Sequence, residues 1–127
     1  MHLLTALILL TASVFAAPMP QEAPAPTAIT HLYICTDSPF KGQCTNLWLP
    51  VSKCQNLDAT YAHQVSSAGP DEGTFCTLYS NNDCDGEKGL TLPFTYPGIR
   101  KLSNYDFDNK LSSVRCDFIA GWRKTGS

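Results

Sequence analysis

The sequence predicts an all-β sandwich built from two Greek keys and stabilised by disulfides. Three observations carry that expectation. Short β-prone pieces (HLYIC, TNLWLPV, HQVSS, TFCTLYS, GLTLPF, LSSVRCDF) are separated by Pro, Gly, Asn and Ser turns. Several of them alternate apolar and polar residues, as half-buried strands do. A frame of aromatic, three variable residues, aliphatic, Ser, Ser occurs twice, as YAHQVSS from Tyr61 and FDNKLSS from Phe107. All six cysteines (Cys35, Cys44, Cys54, Cys76, Cys84 and Cys116) lie beyond residue 30.

A chain of 127 residues has room for one ordinary domain. Its start, MHLLTALILLTASVFAAP, is an apolar run followed by small residues and is too short to span a bilayer comfortably. It reads as a cleaved signal peptide over 1–16, so the protein is expected to be secreted. Residues 17–30, APMPQEAPAPTAIT, carry four prolines and one charge. Proline removes backbone donors and fixes φ, which makes this stretch an extended spacer rather than a strand or helix. The domain is expected over 31–118, with one Greek key in 31–73, a second in 74–118, and a flexible tail over 119–127.

An even number of cysteines in a short secreted chain points to disulfides. No pair has CxxC spacing, which counts against zinc and thioredoxin-like chemistry. The connectivity stays open at this point. The net charge of −2, with signs mixed along the chain, argues against the basic stripe that nucleic acid or an anionic membrane would favour. Neither nucleic acid nor membrane insertion is expected, and the chain is expected to act as a monomer.

The repeated frame extends in both directions. ICTDSPFKGQC (34–44) precedes the first copy and LYSNNDCDGEK (78–88) the second. Aligned, both read aliphatic, one variable residue, four turn-type residues, Phe40 or Cys84, one residue, and Gly42 or Gly86. A Leu-Pro pair follows in each half (Leu49-Pro50, Leu92-Pro93), then Leu57 or Leu102. The second half is longer by two residues, which Thr95-Tyr96-Pro97 would accommodate. An ordered series of matched features indicates an internal duplication of roughly 40-residue units. Two such units, each a Greek key, make one sandwich. The glycines suit a strand that folds sharply over its own hairpin, a position free of Cβ and often at φ > 0.

The stretches Tyr79-Ser-Asn-Asn-Asp-Cys84-Asp-Gly86 and Cys35-Thr-Asp-Ser-Pro-Phe40-Lys-Gly42 resemble the folded-hairpin signature of the βγ-crystallins: aromatic, four residues, aromatic, one residue, glycine. Each copy departs from it once, with cysteine at 84 or at 35. Asp108-Asn109-Lys110-Leu111-Ser112-Ser113 is similar to the family's calcium loop of two Asp/Asn, two variable residues, Ser/Thr and Ser. The resemblance covers 31–118 and implies a βγ-crystallin-like fold. The small cysteine-rich form with its signal peptide also resembles secreted fungal members of this fold group, to which some killer toxins are related.

The resemblance implies a calcium site shared between paired loops. Calcium takes six to eight oxygens. Asp108, Asn109 and Ser112 supply side-chain oxygens, Lys110 a backbone carbonyl, and Ser66 a hydroxyl from the first loop. That first loop has Ala62 and His63 where Asp/Asn would stand, so one site at most is implied, with affinity around 10⁻⁴ to 10⁻³ M. The competing reading, which weighs more, is that Ser66, Ser67, Ser112 and Ser113 satisfy backbone groups at tight turns. Asn81-Asn-Asp83-Cys-Asp85-Gly86 half-matches an EF-hand loop but has Leu92 where the bidentate Glu belongs. It reads instead as the hairpin turn, with Asp83 or Asp85 free to add a ligand.

No enzyme is expected. His31 and His63, the histidines beyond the leader, sit in no nucleophile or metal motif, and His31 reads as a surface residue. Asp71-Glu72 reads as the turn joining the units. The function implied is surface binding by an effector-like or wall-associated protein, with an extracellular protein or wall polysaccharide as partner. Two alternatives remain: an antimicrobial, killer-toxin-like protein, and a protease inhibitor presenting the Tyr96-Pro97-Gly98-Ile99-Arg100-Lys101 loop.

Overall fold

The computed structural model describes residues 28–120. The proposed leader, most of the proposed spacer and residues 121–127 of the proposed tail lie outside them. Seven strands form two sheets: β1 (Ile29–Asp37), β2 (Lys41–Pro50), β3 (Gln55–Asn56), β4 (Ser67–Pro70), β5 (Thr74–Tyr79), β6 (Thr91–Thr95) and β7 (Ser113–Phe118). The first sheet runs β2-β1-β4 and the second β3-β7-β5-β6. No helix among the described residues is long and apolar enough to cross a membrane.

Alternation decides which side chains meet between the sheets. On β1, Thr30, Leu32 and Ile34 point inward, and on β5, Thr74, Cys76 and Leu78 do the same. Leu49, Val114 and Cys116 complete the facing layers, and Val65, Leu102, Phe107 and Leu111 close the core from the loops. Pro93 is harmless within β6 because that strand is an edge, with no ladder partner to miss its N–H on one side.

The two halves exchange their third strands. β3, from the first half, pairs with β7 of the second, while Ile99 of the second half bridges Ala68 on β4. The bridge is a reciprocal pair, Ala68 N–H to Ile99 O at 3.0 Å and Ile99 N–H to Ala68 O at 2.8 Å. Neither half has a complete sheet of its own, so folding of one half requires the other.

The duplication is visible residue by residue. Cys35 on β1 faces Ser67 on β4, and Tyr79 on β5 faces Ser113 on β7. Phe40 and Cys84 take the same left-handed conformation, at φ 54° and 53°. Not every matched feature is equivalent, however. Leu92 faces Leu78, whose counterpart Ile34 faces Thr45, whereas Leu49 faces Thr30. The Leu-Pro pairs therefore coincide in sequence order alone. The extra length lies elsewhere too. Tyr79 pairs with Thr91, twelve positions on, against nine for Cys35 and Cys44, so the longer second hairpin arm takes the added residues. The Tyr96–Lys101 loop is not an insertion.

Three further expectations change. β1 begins at Ile29, which pairs with Pro50, so the last two residues of the proposed spacer belong to the sheet. Ile119 belongs with the domain rather than the tail, its N–H bonding Gly73 O at 2.9 Å. Gly42 has the expected positive φ of 80°, and a Cβ there would sit 2.6 Å from Asp37 Oδ2. Gly86 has no positive φ. Its requirement is steric, since a Cβ would meet Thr91 Cγ2 at 2.9 Å and the Tyr79 ring at 3.6 Å.

The six cysteines form three bridges: Cys35–Cys44, Cys54–Cys84 and Cys76–Cys116. The first ties β1 to β2, the third ties β5 to β7, and the second joins the two halves. Both cysteines that replace aromatic residues of the hairpin signature are thereby explained: at 35 and at 84 a covalent link stands where an aromatic contact would be. Three disulfides fit an oxidising, extracellular environment.

Candidate functional site

The loops ending in the two Ser-Ser pairs lie side by side. His63 N–H bonds Leu111 O at 2.9 Å, and Asn109 N–H returns the contact to Val65 O at 3.0 Å. Leu102 N–H reaches Ser66 O and Leu57 N–H reaches Ser112 O, both at 2.9 Å. His63 and Asn109 occupy matching left-handed positions, φ 60° and 58°.

The second serine of each pair fastens a folded hairpin. Ser67 Oγ accepts from Phe40 N–H at 3.0 Å and donates to Asp37 O at 2.9 Å. Ser113 Oγ accepts from Cys84 N–H at 2.8 Å and donates to Asn81 O at 2.6 Å. Both serines are fully buried, so each hydroxyl replaces water for one donor and one acceptor.

The first serine of each pair belongs to the proposed calcium ligand set. Ser112 is buried and its hydroxyl donates to Asn82 Oδ1, an oxygen the sequence reading did not include. Ser66 is buried as well, while Asp108 is half-buried and Asn109 exposed. Lys110 turns its ammonium to Asp106, 3.0 Å from the backbone oxygen and 3.2 Å from Oδ1, leaving its own carbonyl on the loop. Asp83 is held elsewhere: Asn56 Nδ2 donates to its carboxylate at 2.9 Å and its N–H donates back to Asn56 Oδ1 at 2.7 Å. Asp85 accepts from Glu87 N–H at 3.0 Å. Among the described residues no three His, Cys, Asp or Glu side chains converge. Of the predicted side-chain ligands, the structure shows a direct side-chain contact among the described residues only from Ser112, to Asn82; hydroxyl, amide and a single carboxylate are the chemistry of a hard cation rather than a soft metal.

A second feature lies on the outward face of the first sheet. His31 on β1 pairs with Trp48 on β2, and their rings meet edge to face at 4.5 Å. Two residues along β1, Tyr33 stacks on Phe40 with centroids 6.0 Å apart. Gly69 faces Tyr33 on β4, and the Phe40 ring covers it: a Cβ there would lie 3.4 Å from Phe40 Cζ. Trp48 is 71% exposed. Beside it, between β2 and the segment carrying β3, lies a cleft of about 280 Å³ whose lining mixes Leu47, Leu49 and Leu57 with Trp48, Tyr61 and the polar Gln55, Asn56 and Asp58.

His31 is not a simple surface residue. Its Nδ1 lies 2.9 Å from Asp71 Oδ2, which also accepts from His31 N–H at 2.9 Å and from Thr30 Oγ1 at 3.1 Å. Burial pushes the Asp71 carboxyl up, but the bonds from His31 and Thr30 and the nearby imidazole outweigh it and hold the group below its ordinary value. A lowered folded-state pKa means that the stabilisation is present above the unfolded value near 3.9 and is lost as pH falls through the folded value. Asp71→Asn is expected to flatten the decline of the urea midpoint between pH 5 and pH 2. Asp71 is 47% exposed, so the effect is about 0.5 kcal/mol after solvent screening. The signal that would have found this cluster is strand alternation itself: His31 and Tyr33 fall on the solvent side of β1.

No family model matches the chain, and no curated protein matches it. Solved structures do. A βγ-crystallin from Ciona intestinalis is 19% identical, with the match covering 67% of this chain and 96% of that one at a TM-score of 0.54. A βγ-crystallin domain from Flavobacterium johnsoniae is 18% identical, covering 72% and 98%, with a TM-score of 0.57. The NMR structure of Hahellin, a βγ-crystallin, is 25% identical, covering 74% and 98%, with a TM-score of 0.52. The chain has the βγ-crystallin-like fold.

Proposed function

We propose that the chain is a small secreted binding protein, non-enzymatic, that acts by surface contact with extracellular or wall material. The observation that carries this reading is the outward face of the first sheet. Trp48 stands largely in solvent beside His31 and Tyr33, on a scaffold that three disulfides hold rigid. A rigid platform loses little entropy on binding. The non-enzymatic reading is supported by the His31–Asp71 pair, which leads to Thr30, a hydroxyl only 2% exposed. Incubation of the folded protein with insoluble plant and fungal wall material is expected to retain it on the solid. Killing of yeast without such retention would favour a toxin, and blocked tryptic proteolysis would favour an inhibitor.

One weak calcium ion is a further part of the proposal, held by Asp108, Asn109, the Lys110 carbonyl, Ser112 and Ser66, with Asn82 as an added oxygen. At about 10 mM calcium an affinity of this class stabilises by about 1.4–2.7 kcal/mol. A melting temperature that rises with calcium, and fails to rise in Asp108→Ala, is the expected outcome. The same melting temperature with and without calcium in the unmutated protein overturns it.

A further inference from the structure

The duplication supplies an internal comparison for every outward-facing residue. Because Cys35 corresponds to Tyr79, the ladder registers pair Tyr33 with Thr77 and His31 with Phe75. On the neighbouring strands Trp48, opposite His31, corresponds to Thr95, opposite Phe75; Asn46 corresponds to Pro93. The second sheet presents Thr77, Thr95, Arg115 and Asp117 around Phe75. The same backbone is thus built without Trp48 or Tyr33 at the matching positions. The fold does not require these two rings, and their exposure, 71% and 39%, costs solvation that a purely architectural residue would avoid.

The chemistry of the face narrows its occupant. The rings are contiguous on the outward face: Trp48 meets His31 across the strands, and Tyr33, two residues along, stacks on Phe40 over Gly69. Hydrogen-bonding groups flank the row: Asn46 beside Tyr33, and Gln55 and Asp58 in the cleft beside Trp48. Near the row, Asp71 is held by His31 Nδ1 and backbone N–H, and Asp58 places one carboxylate in the cleft. One carboxylate repels a polyanion and is too little charge to hold a polycation. A protein partner would need about 800 Å² per side with deep apolar anchoring, whereas here two exposed rings, Trp48 and Tyr33, stand among amide and carboxylate groups. A neutral polymer of pyranose rings with equatorial hydroxyls matches both features. Its C–H faces stack on aromatic rings and its ring edges hydrogen-bond to amides and carboxylates.

We propose that the Trp48–His31–Tyr33–Phe40 face, with the adjoining cleft, is a binding site for a neutral β-linked polysaccharide, Trp48 being the stacking platform. His31, locked by Asp71, meets the Trp48 ring edge to face and positions it. This assignment rests on the surface-binding function and gives it a ligand class and a location.

The test uses the full folded chain in titration calorimetry against soluble hexasaccharides of β-linked glucose and of β-linked N-acetylglucosamine, with polygalacturonate as the charged control. Binding to one or both neutral oligosaccharides is expected, and which one binds identifies the source. Trp48→Ala is expected to lose at least tenfold in affinity, Trp48→Phe to stay within a few-fold, and Phe75→Ala on the opposite sheet to match the unmutated protein. Unchanged far-UV and near-UV circular dichroism excludes misfolding of the variants. Equal affinity in Trp48→Ala, tighter binding of polygalacturonate, or a dimer that Trp48→Ala dissociates overturns the site. Retention on wall material that survives Trp48→Ala also overturns the site while leaving the surface-binding function standing; absence of retention in the unmutated protein removes that function itself.

Discussion

Replacing Cys76 and Cys116 together by alanine is expected to lower the free energy of unfolding by about 4 kcal/mol. The two residues are directly paired on β5 and β7 and are fully buried. Their bridge closes a 40-residue separation, the largest of the three. In the chain-entropy view, a loop that long restricts the unfolded ensemble more than the nine-residue Cys35–Cys44 loop, whose removal is expected to cost about 2.6 kcal/mol. The pair also sits in the core, so losing both sulfurs opens a small cavity in the second sheet. For a domain with ordinary stability of about 5–15 kcal/mol, that loss leaves a marginal fold. Equilibrium urea unfolding of the double variant against the unmutated chain measures it. A change smaller than that of the Cys35→Ala/Cys44→Ala variant would contradict the assignment.

Ser67→Ala and Ser113→Ala are each expected to destabilise by about 2–4 kcal/mol, because each leaves one backbone N–H and one carbonyl without a partner inside the fold. The two effects are expected to be alike, since the two hydroxyls do the same task in duplicated hairpins. Ser112→Ala removes a single side-chain partner, the Asn82 oxygen, and is expected to cost about 1 kcal/mol or less. A thermal unfolding series over these three variants separates the two hairpin-fastening serines from Ser112, which belongs to the proposed calcium site.

Much of the architecture was legible because it is written in local pattern. The doubled aromatic-to-Ser-Ser frame marks two loops that answer each other across the molecule, and the alternation along HLYIC and TFCTLYS marks the inward faces. Hairpin length is not legible in the same way, because order in the sequence is not register in a ladder. Leu49-Pro50 and Leu92-Pro93 look matched, yet they face Thr30 and Leu78 instead of equivalent residues. Gly86 shows the same limit, since its sequence context cannot separate a left-handed backbone from a crowded one. The disulfide pairing and the His31–Asp71 contact join segments 9 to 40 residues apart, distances over which no local rule applies. The aromatic face was present in the sequence all along. Recognising it required knowing that β2 lies beside β1 in the register that sets Trp48 against His31.

The most direct test of the account is the Trp48 indole N–H resonance in ¹⁵N-labelled protein titrated with the neutral β-linked hexasaccharides. The face described here predicts that this resonance shifts, together with the amides of His31, Tyr33 and Asn46, while those of Thr77, Thr95 and Arg115 on the opposite sheet stay fixed. A spectrum unchanged at saturating sugar, or shifts confined to the second sheet, would contradict it.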